Sequence, residues 1–393
     1  MKTERKPLGL YLHIPFCARK CDYCDFYSFA PEENGFVERY VSAMMLQMED
    51  MSKECRGYSV DTVYFGGGTP TLLPIKQFTR LIESAKRNFY IEKDAEITVE
   101  ANPGTVNLQS LKALRKLGVN RLSLGMQSHI DSELVSLGRI HTSAEFDKSY
   151  ENARRAGFEN ISVDIMYGIP GQTLETLGKT LEYVCDMAPE HISLYCLKLE
   201  EGTPLFERQS SLSLPDDDTE YEMYEESVRS LSASGYRRYE MSNFALGKNA
   251  SRHNLKYWNC DEYLGIGASA HSYLAGTRFS IIRDASCYID AMEIPEAGIE
   301  IYDENRAIGE EERMNEYVML RMRLEDGVNI GEFKRRFGVN FSDKFGKYFD
   351  EYVPDGFVTK SGGKYAFTTK GMFVSNYILS AVLDFPEEKT TVL

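Results

Sequence analysis

No apolar run in this 393-residue sequence approaches the roughly 18 residues that a membrane-spanning helix needs. No transmembrane segment is expected. The opening residues, Met1-Lys2-Thr3-Glu4-Arg5-Lys6-Pro7, are charged and lead at once into a strand-like run, so no signal peptide is expected either. Cationic excess is also missing: 45 Lys and Arg stand against 60 Asp and Glu, a net charge of −15. That argues against a nucleic-acid-coating protein, which neutralises phosphates with clustered Lys and Arg. A few local arginines could still hold a small anion within a Debye length. A disulfide framework is lacking as well. Of eight cysteines, Cys55, Cys185, Cys196, Cys260 and Cys287 are scattered, and the other three crowd into eight residues. Without a signal sequence, such crowding reads as metal or cluster chemistry in the cytoplasm.

What is present is the composition of an ordinary soluble globular protein, 42% hydrophobic and 27% charged, long enough for two unequal domains. Short runs rich in Val, Ile, Leu and Tyr fall at Leu8–His13, Thr62–Phe65, Glu96–Glu100, Arg121–Gly125, Asn160–Ile165 and His191–Cys196. They read as buried, near-continuously apolar parallel strands. Helical patterns lie between them, for example Val37, Tyr40, Val41, Met44 and Met48 on one face. Two junctions nearly repeat: Leu117-Gly118-Val119 before Arg121 and Ala156-Gly157-Phe158 before Asn160. Each glycine ends a helix and a short turn feeds a strand, as on one rim of a βα barrel. The fold class expected is α/β, a partial (β/α)6 barrel, with a doubly wound open sheet as the alternative. After about residue 205 the alternation fails, and a core of residues 1–300 would include an extension over 205–300. Residues 301–393 read as a small helical, winged-helix-like domain with a hairpin at Phe357–Lys360 and Tyr365–Thr368. Its balanced charges show no basic face for nucleic acid.

Cys17-Ala18-Arg19-Lys20-Cys21-Asp22-Tyr23-Cys24 follows the first strand directly. Three thiolates this close can hold three irons of a 4Fe-4S cubane. A cluster used only for electron transfer normally takes a fourth cysteine, but the position two beyond Cys24 is Phe26. Three ligands leave one iron open to a chelating substrate. The alternative is zinc, with His13 as a fourth ligand. Downstream, the strand ends carry polar groups that a purely structural barrel does not need: Glu100, Gln127, Arg139 and Asp164.

The CxxxCxxC spacing with aromatic Tyr23 resembles the signature of the radical S-adenosylmethionine (SAM) superfamily. The Phe65-Gly66-Gly67-Gly68-Thr69-Pro70 loop resembles that superfamily's SAM-binding glycine loop. Glycines there would let the backbone approach the SAM ammonium closely. The neighbours of Glu100, Gln127, Arg139 and Asp164 resemble the anaerobic coproporphyrinogen III oxidase family. That resemblance implies that Tyr11, Tyr23, Gly67, Gly68, Thr69, Glu100, Gln127, Arg139 and Asp164 surround SAM. Glu100 would take the ammonium, Arg139 the carboxylate, and Gln127 and Asp164 the ribose. It also implies a reductant such as flavodoxin or ferredoxin.

Two departures from the oxidases stand out. They extend the cluster motif by one more cysteine, where this chain has Asp25-Phe26, and they carry a longer N-terminal segment. Both features are similar to the HemW-type heme chaperones. So is Arg252-His253-Asn254-Leu255-Lys256-Tyr257-Trp258, which contains HNxxYW and the single tryptophan. An imidazole beside large aromatics suits a porphyrin seat. The function this resemblance implies is heme binding at His253, Tyr257 and Trp258 and delivery to an acceptor hemoprotein. The alternatives are coproporphyrinogen III oxidation in porphyrin biosynthesis and radical SAM modification or degradation of heme.

Overall fold

The computed structural model describes residues 5–31 and 33–383. Residues 1–4, which begin the charged N-terminal segment read above, lie outside the described residues. Six strands run in parallel: β1 (Lys6–Ile14), β2 (Tyr58–Gly67), β3 (Ile91–Ala101), β4 (Arg121–Gln127), β5 (Ile161–Tyr167) and β6 (His191–Cys196). Each pairs with the next in chain order. A doubly wound sheet reverses its order at a switch point; this one does not, which leaves the partial barrel. The curved sheet is open. Beyond β6 it continues through the hairpin β7 (Arg237–Glu240) and β8 (Asn243–Ala245). Beyond β1 it continues through β9 (Tyr263–Ile266), β10 (His271–Leu274), β11 (Thr277–Ile281) and β12 (Tyr302–Ala307).

The strands are not apolar on both faces, as the sequence reading expects. Leu8, Leu10, Leu12 and Ile14 of β1 are fully buried under the surrounding helices, but Tyr11 and His13 between them face inward. Parallel register sets like-facing residues side by side. Tyr11 neighbours Tyr64, Tyr64 neighbours Thr98, Thr98 neighbours Arg121, Glu100 neighbours Ser123, and Asp164 neighbours Ser193. The interior is therefore a polar shaft, which a period of two produces once one face is wet or ligand-facing.

The repeated glycine junction is real. Gly118 donates to the Arg115 carbonyl and Val119 to that of Leu114; Gly157 and Phe158 donate likewise to Arg154 and Ala153. Both glycines take left-handed φ, 104° and 88°, so each helix closes with the same pair of hydrogen bonds before the chain enters β4 or β5.

The C-terminal unit builds a three-stranded sheet from β13 (Val328–Asn329), β14 (Val358–Ser361) and β15 (Lys364–Phe367), with helices Glu310–Met322 and Ile330–Phe337 before the hairpin and two short ones after it. Phe333, Phe341, Phe345, Phe349 and Tyr365 form its aromatic centre. It joins the core along the sheet edge: Met241 donates to Arg323 O, and Glu325 N to Tyr239 O. β12 belongs to the large sheet, so that sheet extends past the boundary expected at residue 301. Among the described residues no helix is long and apolar enough to cross a membrane.

Candidate functional site

The loop carrying Cys17, Cys21 and Cys24 leaves the C-terminal end of β1 and is pinned at both its base and its middle. At the base, Cys17 N donates to Phe29 O and Phe29 N to Pro15 O, at 2.9 and 2.8 Å. In the middle, Asp22 N donates to Leu137 O and Leu205 N to Asp22 O, and the Asp22 carboxylate accepts from Arg208 at 2.6 Å. A Cβ on Gly138 would lie 2.5 Å from that carboxylate, so the loop needs a glycine opposite it. All three thiols are free and half-exposed. Burial pushes the Cys24 thiol above its ordinary range. Thr69 Oγ1 lies 3.6 Å from Cys17 Sγ, and Arg139 Nη1 donates to Cys21 Sγ at 3.5 Å.

The glycine loop is held against this base. Gly68 N donates to Ile14 O and Thr69 N to Phe16 O. A Cβ on Gly67, whose φ is 112°, would stand 2.6 Å from the His13 ring, and one on Gly68 would stand 2.7 Å from Phe16 O. Close packing against β1 thus demands these glycines, a structural reason besides the ligand access read from sequence. His13 itself is engaged at both nitrogens, with Tyr11 OH and Tyr27 O at 3.0 Å each. Among the described residues no three Cys, His, Asp or Glu side chains converge on a single-metal site. The zinc alternative with His13 therefore finds no support in this geometry. Three unpaired thiols on one pinned loop, flanked by a hydroxyl and a guanidinium N–H, are a donor set that fits a larger iron–sulfur cluster.

The remaining candidates ring the same mouth. Arg139 Nη2 donates to Asn102 Oδ1 at 2.7 Å and to Gly125 O at 2.8 Å, which holds its fork beside Cys21. Tyr23 packs against Leu137, Met166, Ile169, Leu197 and Leu205, and burial raises its hydroxyl pKa. Glu100 accepts from Tyr64 OH at 2.7 Å and from Gly67 N at 3.2 Å; burial pushes its carboxyl up to about 7. Asp164 accepts from Ser123 and Ser162 and is also raised by burial. Gln127 sits at φ 68°, a left-handed position that costs a non-glycine residue about 1 kcal/mol, where β4 shifts register against β5.

At the opposite end of the shaft lies the HNxxYW segment, the helix Arg252–Trp258. Glu96 caps it by accepting from the backbone of Arg252 and His253, at 3.2 and 3.1 Å. His253 is 1% exposed. Its Nδ1 pairs with Thr62 Oγ1 at 2.8 Å and its Nε2 with Tyr257 OH at 2.9 Å. The ring stacks on Tyr64 and Tyr11, with centroids 5.1 and 6.4 Å apart, and burial lowers its pKa to about 3. Both ring nitrogens of the neutral imidazole are engaged, so His253 would have to release Thr62 or Tyr257 to offer a nitrogen to heme. Tyr257 packs edge-on against Tyr263, and Trp258 is half-buried.

The radical SAM superfamily model matches residues 11–184, and the HemN C-terminal domain model matches residues 308–374. The protein named heme chaperone HemW of Bacillus subtilis is 35% identical over 376 residues, 95% of this chain and 98% of that one. The chain is a radical SAM protein of the HemW family. The Escherichia coli HemW is 32% identical over 96% of this chain and 98% of its own. The solved structure of E. coli coproporphyrinogen III oxidase HemN superposes with a TM-score of 0.83 at 24% identity, covering 96% of this chain and 90% of that one, which shows a shared fold.

In this HemW-family chain the sequence reading missed Tyr64, Asn102 and Arg121. Tyr64 holds Glu100, and Asn102 links Thr69 to Arg139 through bonds of 2.7 Å each. Arg121 is 1% exposed at the heart of the shaft, with Nε and Nη2 unpartnered among the described residues. The alternation Thr62, Tyr64 and Arg121, Ser123 is visible in the sequence, inside runs that otherwise read as near-continuously apolar.

Proposed function

We propose that this chain binds heme in the cytoplasm and passes it to an acceptor hemoprotein, with a SAM-binding 4Fe-4S cluster on Cys17, Cys21 and Cys24. The observation that carries this reading is near-full-length similarity to proteins named heme chaperones. Phe26, 69% exposed, also stands where the oxidases place a further cysteine. Cys17, Cys21 and Cys24 would ligate three irons, and the cluster would supply an open iron for the amino acid end of SAM. Around it, Glu100 would take the ammonium, Arg139 the carboxylate, and Gln127 and Asp164 the ribose. Tyr11, Tyr23, Gly67, Gly68 and Thr69 would shape the walls. Flavodoxin or ferredoxin is the class of electron donor such a cluster needs.

The test is a side-by-side assay on anaerobically reconstituted protein. About one heme per chain should bind and transfer to an apo-hemoprotein, while coproporphyrinogen III with SAM and reductant should yield little or no protoporphyrinogen IX. Efficient decarboxylation would overturn the proposal in favour of the oxidase.

A further inference from the structure

His253 is closed off inside the barrel floor, and the far end of the same helix offers another candidate seat for heme. Asn259, immediately after Trp258, lines a cavity of about 300 Å³ at the joint between the core and the C-terminal unit. Leu255 and Leu324 give it apolar walls, and Arg237 and Arg321 bring two cations to it. The acidic residues on the same lining are already engaged. Glu325 pairs with Arg238 at 2.7 Å, and Asp326 with Lys364 at 3.3 Å and more loosely with Arg237 at 3.9 Å. Arg321 has no carboxylate within 4.0 Å among the described residues. Its Nη1 donates to Asn259 Oδ1 at 2.5 Å, and its Nε is buried without a partner.

A buried guanidinium N–H without an acceptor is costly, and a carboxylate satisfies the arginine fork with two bonds. A volume near 300 Å³ sits at the small end of ligand pockets. It accommodates one edge of a tetrapyrrole and leaves the rest outside, as cargo held for transfer requires. We propose that this cavity seats the propionate-bearing edge of heme, with Arg321 and Arg237 on the two carboxylates and Leu255 and Leu324 against the macrocycle. This rests on the heme-chaperone reading above and adds to it the place and the recognised group.

The test titrates the full-length reconstituted protein with hemin and with hemin dimethyl ester, whose carboxylates are blocked, following the Soret band and the fluorescence of Trp258. Hemin should bind at least about tenfold more tightly than the ester, the effect of one charge-assisted hydrogen bond. Arg321→Gln and Arg237→Gln should each weaken hemin toward the ester and leave the ester and the cluster content unchanged. If Arg321→Gln fails to fold, Ala250→Phe, which fills the cavity from its rim, should weaken both ligands. Equal affinities of wild type for hemin and ester, or wild-type hemin affinity in the variants, would overturn this seat while the chaperone reading stands. Failure of the wild type to bind hemin at all would overturn the chaperone reading, and this inference with it.

Discussion

The two ends of the barrel are made from the same six strands and are built to opposite ends. At the mouth, the thiols of Cys17, Cys21 and Cys24 are half-exposed on a loop braced by backbone bonds, while Glu100 and Asp164 on β3 and β5 are held by Tyr64 and Gly67 and by Ser123 and Ser162. At the floor, His191 and His253 are sealed, with both ring nitrogens of each in hydrogen bonds to Ser162 and Tyr239, and to Thr62 and Tyr257. The cysteine loop is positioned by its backbone and by Asp22, which leaves its three thiols for ligands; the floor closes its histidines on neighbouring side chains. A conspicuous motif at the floor is therefore a stability element first, whatever its neighbours bind.

The strongest way to break that contrast is at the cysteines. Replacing Cys17, Cys21 or Cys24 by Ala should abolish a cluster of about four irons, because two thiolates cannot hold a cubane. Cys287→Ala, at an exposed helix position outside the three-cysteine loop, should leave iron and sulfide content unchanged. Dependence on Cys287 would mean that the mouth is not where the cluster sits.

The floor should fail differently. His253→Ala removes a buried ring and strands Thr62 and Tyr257, so chemical denaturation should show a loss of roughly 2–4 kcal/mol. Cluster content at low temperature should match the parent. Unchanged stability would show that the floor tolerates opening and that His253 is held there for another purpose.

Much of this contrast was legible in the sequence. Cys17-x₃-Cys21-x₂-Cys24 and the helix-ending Gly118 and Gly157 are local patterns, so sequence places the cysteines after the first strand, at the mouth, and the glycines at the opposite rim, where helices feed β4 and β5. His253 was not legible, because its partners Thr62 and Glu96 come from strands more than 150 residues away in the chain. Nor was β12, whose central Asp-Glu-Asn-Arg is polar: it is an edge of the large sheet, mostly exposed, with Tyr302 packing inward, against Phe279. The polar shaft lay between these cases, written as a period of two but hidden inside apolar-looking runs.

A smaller effect separates recognition from assembly within the mouth itself. Arg139→Ala should weaken SAM binding by roughly 1.5–3 kcal/mol, the loss of a charge-assisted contact, while the cluster assembles normally. Isothermal titration with reconstituted protein measures it. Equal affinity in variant and parent would show that the Arg139 fork, already donating to Asn102 and Gly125, serves only to brace the loop.

The finest distinction rests on Glu100. Burial raises its carboxyl from the ordinary 4.5 to about 7 in the folded chain, with nearby Asp164 adding to the rise, against the opposing bonds from Tyr64 and Gly67. The folded state therefore holds a proton that the unfolded state has already lost across this window. Stability is highest below about pH 4.5 with respect to this group, falls as pH rises toward about 7, and is flat above it. Glu100→Gln, which keeps the acceptor for Tyr64 but cannot ionise, should flatten that part of the slope and stabilise the protein above pH 7. Glu240, buried and also raised to about 7, contributes a slope of the same sign, so only the difference between variant and parent belongs to Glu100. SAM affinity should move the other way in the parent, tightening as pH rises through 7, because an ionised Glu100 attracts the ammonium and a protonated one does not. A parent whose SAM affinity is level from pH 6 to 8 would remove Glu100 from the ammonium and leave it as a brace for Tyr64 and Gly67.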